Sequence, residues 1–250
     1  MNMQHHNTWR KRLQHLLQRA FNFSCLLCYQ PSATTVCHWC ENDLFFFDNT
    51  TYGENLLSCG LVSRHVKHCH YDALSVLGIY TGSLAHLVQK LKFSHSLAAG
   101  RILANWFYTK RIQSTKQLPQ ILLPVPIHPT RLFSRHYNQA TVLADDIGTL
   151  ANISVEQYWA IRIGRKTQHH LNRSDRATNA KSAFSLSTRG LDKRIASSNI
   201  TCVAIVDDII TTGVTVNHLA QKLKKRYPQL TIYVWAMAFT PPPKSALLNE

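Results

Sequence analysis

Apolar positions along this chain follow two periods, and the periods alternate. Val203–Val206 is an unbroken apolar run, β-branched but for Ala204, the pattern of a strand buried on both faces. Ile121–Ile127 (ILLPVPI) reads as a second buried strand, with Pro124 and Pro126 ending its pairing in an irregular turn. Leu74–Tyr80, Val155–Ala160 and Leu230–Phe239 read as further strands; in the last, Ile232, Val234 and Ala236 alternate with Tyr233 and Trp235. Between them the spacing turns helical. Ser83–Phe93 places Leu84, Leu87, Val88 and Leu91 on one face, and Ser96–Lys110 does the same with Leu97, Ile102, Leu103 and Phe107. Further helices are predicted from about Leu132 to Leu150 and over Thr215–Tyr227. Strands alternating with helices predict an α/β fold on a parallel sheet.

Three stretches stand outside this alternation. Residues 1–23 carry Leu13, Leu16, Leu17, Ala20 and Phe21 at helical spacing among basic residues, a short basic amphipathic helix expected to pack on the domain. Residues 24–71 hold six of the seven cysteines, and 72–240 form the α/β domain. After three prolines, 241–250 reads as a loose tail.

With 250 residues and 45% hydrophobic content the chain can bury a sizeable core, which argues against wholesale disorder. The formal net charge of +15 suggests a polyanionic partner: nucleic acid, a phosphorylated ligand or an acidic membrane surface. No apolar run is long enough for a transmembrane segment, and the N-terminal segment lacks the apolar core of a signal peptide.

Of seven cysteines, four form two C-x-x-C pairs, Cys25/Cys28 and Cys37/Cys40, joined by a short polar turn. Two such knuckles close a tetrahedral thiolate site suited to structural Zn2+, and thiolates of this kind imply a reducing cytoplasm. Leu56-x-x-Cys59 and Val66-x-x-Cys69 look like two knuckles that lack their first cysteine. His65, His68 and His70 could complete a second metal site there; the plainer reading is that both have decayed and bind none.

The richest stretch is Val203–Thr215, VAIVDDIITTGVT. The strand runs into two acids, Asp207 and Asp208, then into Thr211, Thr212, Gly213, Val214 and Thr215, and then into a helix. Such a turn directs N–H groups at an anion, with the positive end of the helix dipole behind them. Gly213 permits close backbone approach. Carboxylates ahead of a phosphate cradle suit a sugar phosphate, accepting from hydroxyls while the turn donates to the phosphate. Ligands of open parallel sheets bind at the carboxyl ends of the strands, so the turn after Ile121–Ile127 should lie beside this loop. Lys90 and Lys92 read as solvated lysines, and Arg162–Arg194 as a basic flap that closes over an anionic ligand.

VAIVDDIITTGVT resembles the 13-residue phosphoribosyl pyrophosphate (PRPP) motif of type I phosphoribosyltransferases. The resemblance extends over nearly the whole chain to the ComF/GntX family of phosphoribosyltransferase-like competence proteins. It includes the N-terminal knuckles, Leu91-Lys92-Phe93, Val125–Arg131, Arg135–Gln139, and the series Gln168, Leu171, Arg176, Asn179, Phe184. Where the family usually has Arg-Gly-Phe-Asn, this chain has Arg135-His136-Tyr137-Asn138, which puts the backbone there in question.

The resemblance implies a type I phosphoribosyltransferase fold, a parallel sheet flanked by helices, with a small N-terminal zinc-binding module. It implies that Asp207 and Asp208 are the catalytic acids holding the ribose hydroxyls, that Thr211–Thr215 wraps the 5-phosphate, and that PRPP arrives with Mg2+. Ile127 and His128, by their backbone N–H groups, and Arg131 or Arg135, by charge, would receive the pyrophosphate. Gln168, Arg173, Arg176 and Asn179 would belong to the flexible basic loop. Two functions follow: a cytoplasmic competence protein that binds PRPP and incoming single-stranded DNA, with proteins of the uptake machinery as further candidate partners; or an active phosphoribosyltransferase with an unknown acceptor. The first is the expectation adopted.

Overall fold

The computed structural model describes residues 24–163 and 184–241. The amphipathic segment expected at 1–23, the loop residues Gln168, Arg173, Arg176 and Asn179, and the tail from 242 lie outside them. The chain divides into two compact units between Phe45 and Phe46. The segment 46–71, expected with the cysteines, therefore falls in the larger unit. Phe47, Leu56, Val62, Val66 and Tyr71 share one buried cluster with the sheet residues Val203, Ile205 and Val234. Leu56 and Val66, read as positions that had lost a cysteine, are apolar because they are core.

In chain order the larger unit contains β1 (Ala73–Ile79), α1 (Gly82–Phe93), α2 (Leu97–Phe107), β2 (Ile121–Pro124), α3 (Pro129–Arg135) and α4 (Gln139–Ala151). Then come β3 (Ser154–Val155), β4 (Ala160–Arg162), β5 (Phe184–Leu186), α5 (Thr188–Ser198), β6 (Cys202–Ile210), α6 (Val214–Arg226) and β7 (Thr231–Phe239). Five strands form one parallel sheet in the order β1-β7-β6-β2-β3, while β4 and β5 pair as an antiparallel ribbon.

One face of the sheet is covered by α6. Val216, Leu219, Ala220 and Leu223 cluster with Val203, Ile205, Ile232 and Val234. On the other side α1, α2 and α4 pack together, burying Leu84, Leu87, Leu91, Leu103, Leu143 and Ile147. Each such side chain contributes about 1.5–3 kcal/mol of transfer free energy. Arg111 is buried as well. Its guanidinium donates to the carbonyls of Phe47 and Glu54, both at 2.8 Å, and so ties the 46–55 segment to the sheet unit.

Several boundaries differ from the sequence expectation. The helix expected from Leu132 to Leu150 is two helices, α3 and α4, broken at His136–Asn138. His136 adopts a left-handed backbone (φ 62°), and the Asn138 side chain caps α4 by accepting from the Ala140 N–H. Val155–Ala160 is not one strand: β3 extends the sheet, and β4 belongs to the ribbon. β2 stops at Pro124, whose carbonyl accepts from the Trp159 indole at 2.9 Å. The basic stretch ends in β5 and α5 rather than in loop; Leu191 is the buried anchor of α5. β6 runs on to Ile210, since Asp207 pairs with Ala236 and Ile210 with Phe239. Both acids thus sit on a rigid strand, not on the turn.

Candidate functional site

The carboxyl ends of β1, β2, β6 and β7 converge on a polar cavity of about 440 Å3. Asp207 and Asp208 line it from the end of β6, Thr211 from the turn that follows and Thr215 from the first turn of α6. Ile127, Arg131 and Arg135 line it from the other side, with Lys92 from α1 and Arg162 from β4. Residues far apart in sequence are brought together because β2 and β6 are parallel neighbours, with Pro124 opposite Val206.

The two acids differ in surroundings. Asp208 accepts an ion pair from Lys92 Nζ at 3.0 Å, and both side chains are largely buried. Asp207 Oδ1 accepts from the Asp208 N–H at 2.9 Å. Loss of hydration raises the Asp207 carboxyl well above the usual carboxylate range, and the Asp208 charge raises it further; the Asp208 N–H and Lys92 oppose this only in part. A hydroxyl donor or a cation arriving at Asp207 would favour its ionised form.

The turn after β6 is held from outside by the segment 67–71. The Lys67 N–H donates to Thr212 O at 2.9 Å, and the His70 N–H to Asn217 Oδ1 at 3.1 Å. Gly213 has φ +66° and a Cβ there would lie 3.0 Å from Lys67 O, so glycine is required by conformation and by space. Gly213 caps α6 without any side-chain acceptor, leaving the first N–H groups of α6 for an anion. Buried Gln139 also lines the cavity, and its Nε2 has no hydrogen-bond partner among the described residues. An orphaned donor beside three guanidinium groups fits an anionic ligand.

The placement of the expected residues is uneven. Thr211 and Thr215 line the cavity; Thr212, Gly213 and Val214 shape the turn without lining it. Ile127, Arg131 and Arg135 line it, whereas the His128 ring caps α3, its Nδ1 accepting from the Thr130 N–H. Lys92, read as solvated, is an internal ion-pair partner of Asp208, because it stands at the end of α1 within reach of the carboxyl end of β6. Tyr80 and Thr240 also line the cavity and were not singled out by the sequence; Asn138 and Gln139, from the Arg135–Gln139 motif, and Arg162, from the basic stretch, line it too. Lys92 carried a signal in its place between Leu91 and Phe93.

In the smaller unit the four sulfurs of Cys25, Cys28, Cys37 and Cys40 lie within 4.8 Å of one another. Cys28 and Cys37 are 3.8 Å apart, far from a disulfide length and close to the roughly 3.8 Å edge of a tetrahedron built on Zn–S bonds of about 2.3 Å. Burial alone would raise the Cys25 thiol; amide N–H groups of Cys28, Cys37 and Leu27 outweigh it and hold it at about 6. These donors favour thiolate. The donor set fits a structural zinc with four protein ligands and no open position. Among the described residues no other group of three His, Cys, Asp or Glu side chains gathers in this way, Cys59, Cys69 and their neighbouring histidines included. Nor, among them, is any helix long and apolar enough to cross a membrane.

Fold and site define an α/β protein with an anion-suited cavity on the carboxyl edge of a parallel sheet, preceded in sequence by a four-cysteine cluster. No protein-family model matches the chain. Curated relatives do. Competence protein F of Haemophilus influenzae is 29% identical over 236 residues, covering 87% of this chain and 97% of that protein. DNA utilization protein YhgH of Salmonella typhimurium is 32% identical over 198 residues, 73% of this chain and 82% of that one. YhgH of Escherichia coli K12 is 27% identical over 230 residues, 86% of this chain and 96% of that one. The chain belongs to the ComF family.

Proposed function

We propose that this chain binds PRPP in the cavity at the carboxyl edge of its sheet and acts on single-stranded DNA during uptake. The observation that carries the first half is convergence: the acids Asp207 and Asp208, the hydroxyls Thr211 and Thr215, and the cations Arg131 and Arg135 all line one cavity. In this reading Asp207 and Asp208 accept from the ribose 2′- and 3′-hydroxyls. The N–H groups at the start of α6 and the Thr211–Thr215 hydroxyls hold the 5-phosphate. Arg131 and Arg135 neutralise the pyrophosphate, and the Gln139 amide gains the acceptor it lacks. Mg2+ entering with PRPP would bind oxygen ligands, the cavity acids and the phosphates, and supply further charge neutralisation. Lys92 holds the Asp208 side chain in place.

The second half rests on the names of the relatives, competence protein F and DNA utilization protein, and on the net charge of +15. A cytoplasmic place of action belongs to the same reading, since a four-thiolate zinc site persists in a reducing compartment. The test is calorimetric titration with PRPP and Mg2+ of the wild type and of Asp207→Ala/Asp208→Ala. The expected result is binding by the wild type and none by the folded double variant. A zinc-loaded, folded wild type that takes up no PRPP overturns the proposal.

A further inference from the structure

Beside the cavity mouth two segments meet that contain no acidic residue, 90–97 and 128–138; Lys90, Arg131 and Arg135 supply three cations, while Lys92 is paired with Asp208 inside the cavity. The Tyr137 hydroxyl donates to the Leu91 carbonyl and locks the segments together. On the surface so formed, the Arg135 guanidinium lies over the Phe93 ring at 5.1 Å. The His95 ring meets His136 at 5.5 Å and Tyr137 at 5.9 Å. Phe93 is 66% exposed, and α3 buries none of its residues. Hydrophobic packing therefore does not account for this arrangement.

Nor does backbone preference. His95 (φ 52°) and His136 (φ 62°) both hold left-handed conformations, which glycine adopts freely and histidine at a modest cost. Strain of this kind collects where a ligand is clamped. At position 136 a glycine would satisfy the α3 C-cap, yet the chain presents an imidazole there, against a second one.

We infer that the platform of Phe93, His95, Arg135, His136 and Tyr137 is where a single strand of DNA lies, its bases stacked on the rings and its phosphates directed to Arg131 and Arg135. The occupant follows from the chemistry. Flat π surfaces interleaved with cations, without acids, complement unpaired bases joined by phosphates. A duplex keeps its base faces stacked inside; Leu97, Leu132 and Phe133 are exposed on the same two segments, but they lie among Lys90, Arg131 and Arg135, whose charge an apolar protein partner would have to desolvate. Arg131 and Arg135 also line the cavity, so the strand would run along the mouth of the PRPP site. The inference rests on the DNA-binding half of the function proposed above and gives it a location.

The experiment is fluorescence anisotropy of a labelled oligothymidine at several salt concentrations, with PRPP calorimetry on the same proteins. Phe93→Ala should weaken oligonucleotide binding by about 5- to 100-fold with an unchanged salt slope. Arg135→Ala should flatten the salt slope by about 0.7 for each phosphate it no longer neutralises. His136→Gly removes the ring while relieving the backbone, so it should lose oligonucleotide affinity with no fall in unfolding temperature. Phe93→Ala and His136→Gly should bind PRPP as the wild type does. Wild-type oligonucleotide affinity in both variants overturns the platform and leaves DNA binding to another surface. Loss of PRPP binding in Phe93→Ala also overturns it, assigning the ring to bracing the cavity. A wild type that binds no oligonucleotide sinks both the platform and the DNA-binding half of the proposed function.

Discussion

Lys92 and Asp208, one on the last turn of a helix and the other near the end of the central strand, form an ion pair of 3.0 Å inside the cavity. The side chains are 17% and 13% exposed, so neither charge is fully hydrated when the other is removed. Breaking a wholly buried pair costs about 3–5 kcal/mol; with some solvent left here, Lys92→Met should cost about 1–3 kcal/mol. Urea unfolding of Lys92→Met, Asp208→Asn and the double variant measures this. The double variant should recover part of the loss, and strict additivity would mean that the pair is not coupled.

Asp207 gives the stability a pH dependence of definite sign. Its carboxyl is raised by burial and by Asp208, so the folded state favours the protonated form. A raised acid imposes no penalty below the unfolded value of about 3.9 and a growing one as pH climbs through the folded value. Asp207→Asn removes the penalty. Its stability relative to wild type should therefore rise with pH above about 4 and level off once the wild-type group is ionised in both states. Denaturant titrations across that range, without ligand, give the comparison; a constant difference would contradict it.

The cysteine cluster should hold about one zinc per chain. Metal analysis of the purified protein should find it, and Cys28→Ser or Cys37→Ser should lose it, since their sulfurs define the 3.8 Å edge of the cluster. The larger unit has its own core, so its circular dichroism should survive metal removal.

Gly213→Ala meets two obstacles, a φ of +66° and the Lys67 carbonyl 3.0 Å from the new Cβ. The left-handed backbone alone costs about 1–2 kcal/mol. A loss of at least this size should appear in thermal unfolding. If the variant is as stable as wild type, segment 67–71 does not press on the turn.

Arg111 offers a contrast away from the cavity. Its guanidinium donates to the carbonyls of Phe47 and Glu54, the latter shared with the Ser75 hydroxyl. Arg111→Met should cost about 1–3 kcal/mol as the carbonyl of buried Phe47 loses this donor, and Arg111→Lys should not restore the fork geometry. Chemical denaturation distinguishes the two outcomes.

What could be read from the sequence was whatever is local along the chain. The order of apolar, acidic, hydroxyl and glycine positions in Val203–Thr215 determined a strand, a turn and a helix start, because each depends on neighbouring residues. The C-x-x-C spacing determined the four-sulfur cluster for the same reason. The alternation of strand and helix periods determined the α/β class. What only the tertiary structure decided depends on which distant segments meet. Lys92 looked solvated until the end of α1 was brought within reach of β6. Leu56 and Val66 looked like vacated cysteine positions until they were seen in the core of the larger unit. The break at His136 escaped because apolar periodicity carries across it, while the left-handed turn is selected by Asn138 and by its bond to the Val125 carbonyl at 2.9 Å. Register between β2 and β6, set by side-chain packing over the whole sheet, is what turned two separate motifs into one cavity.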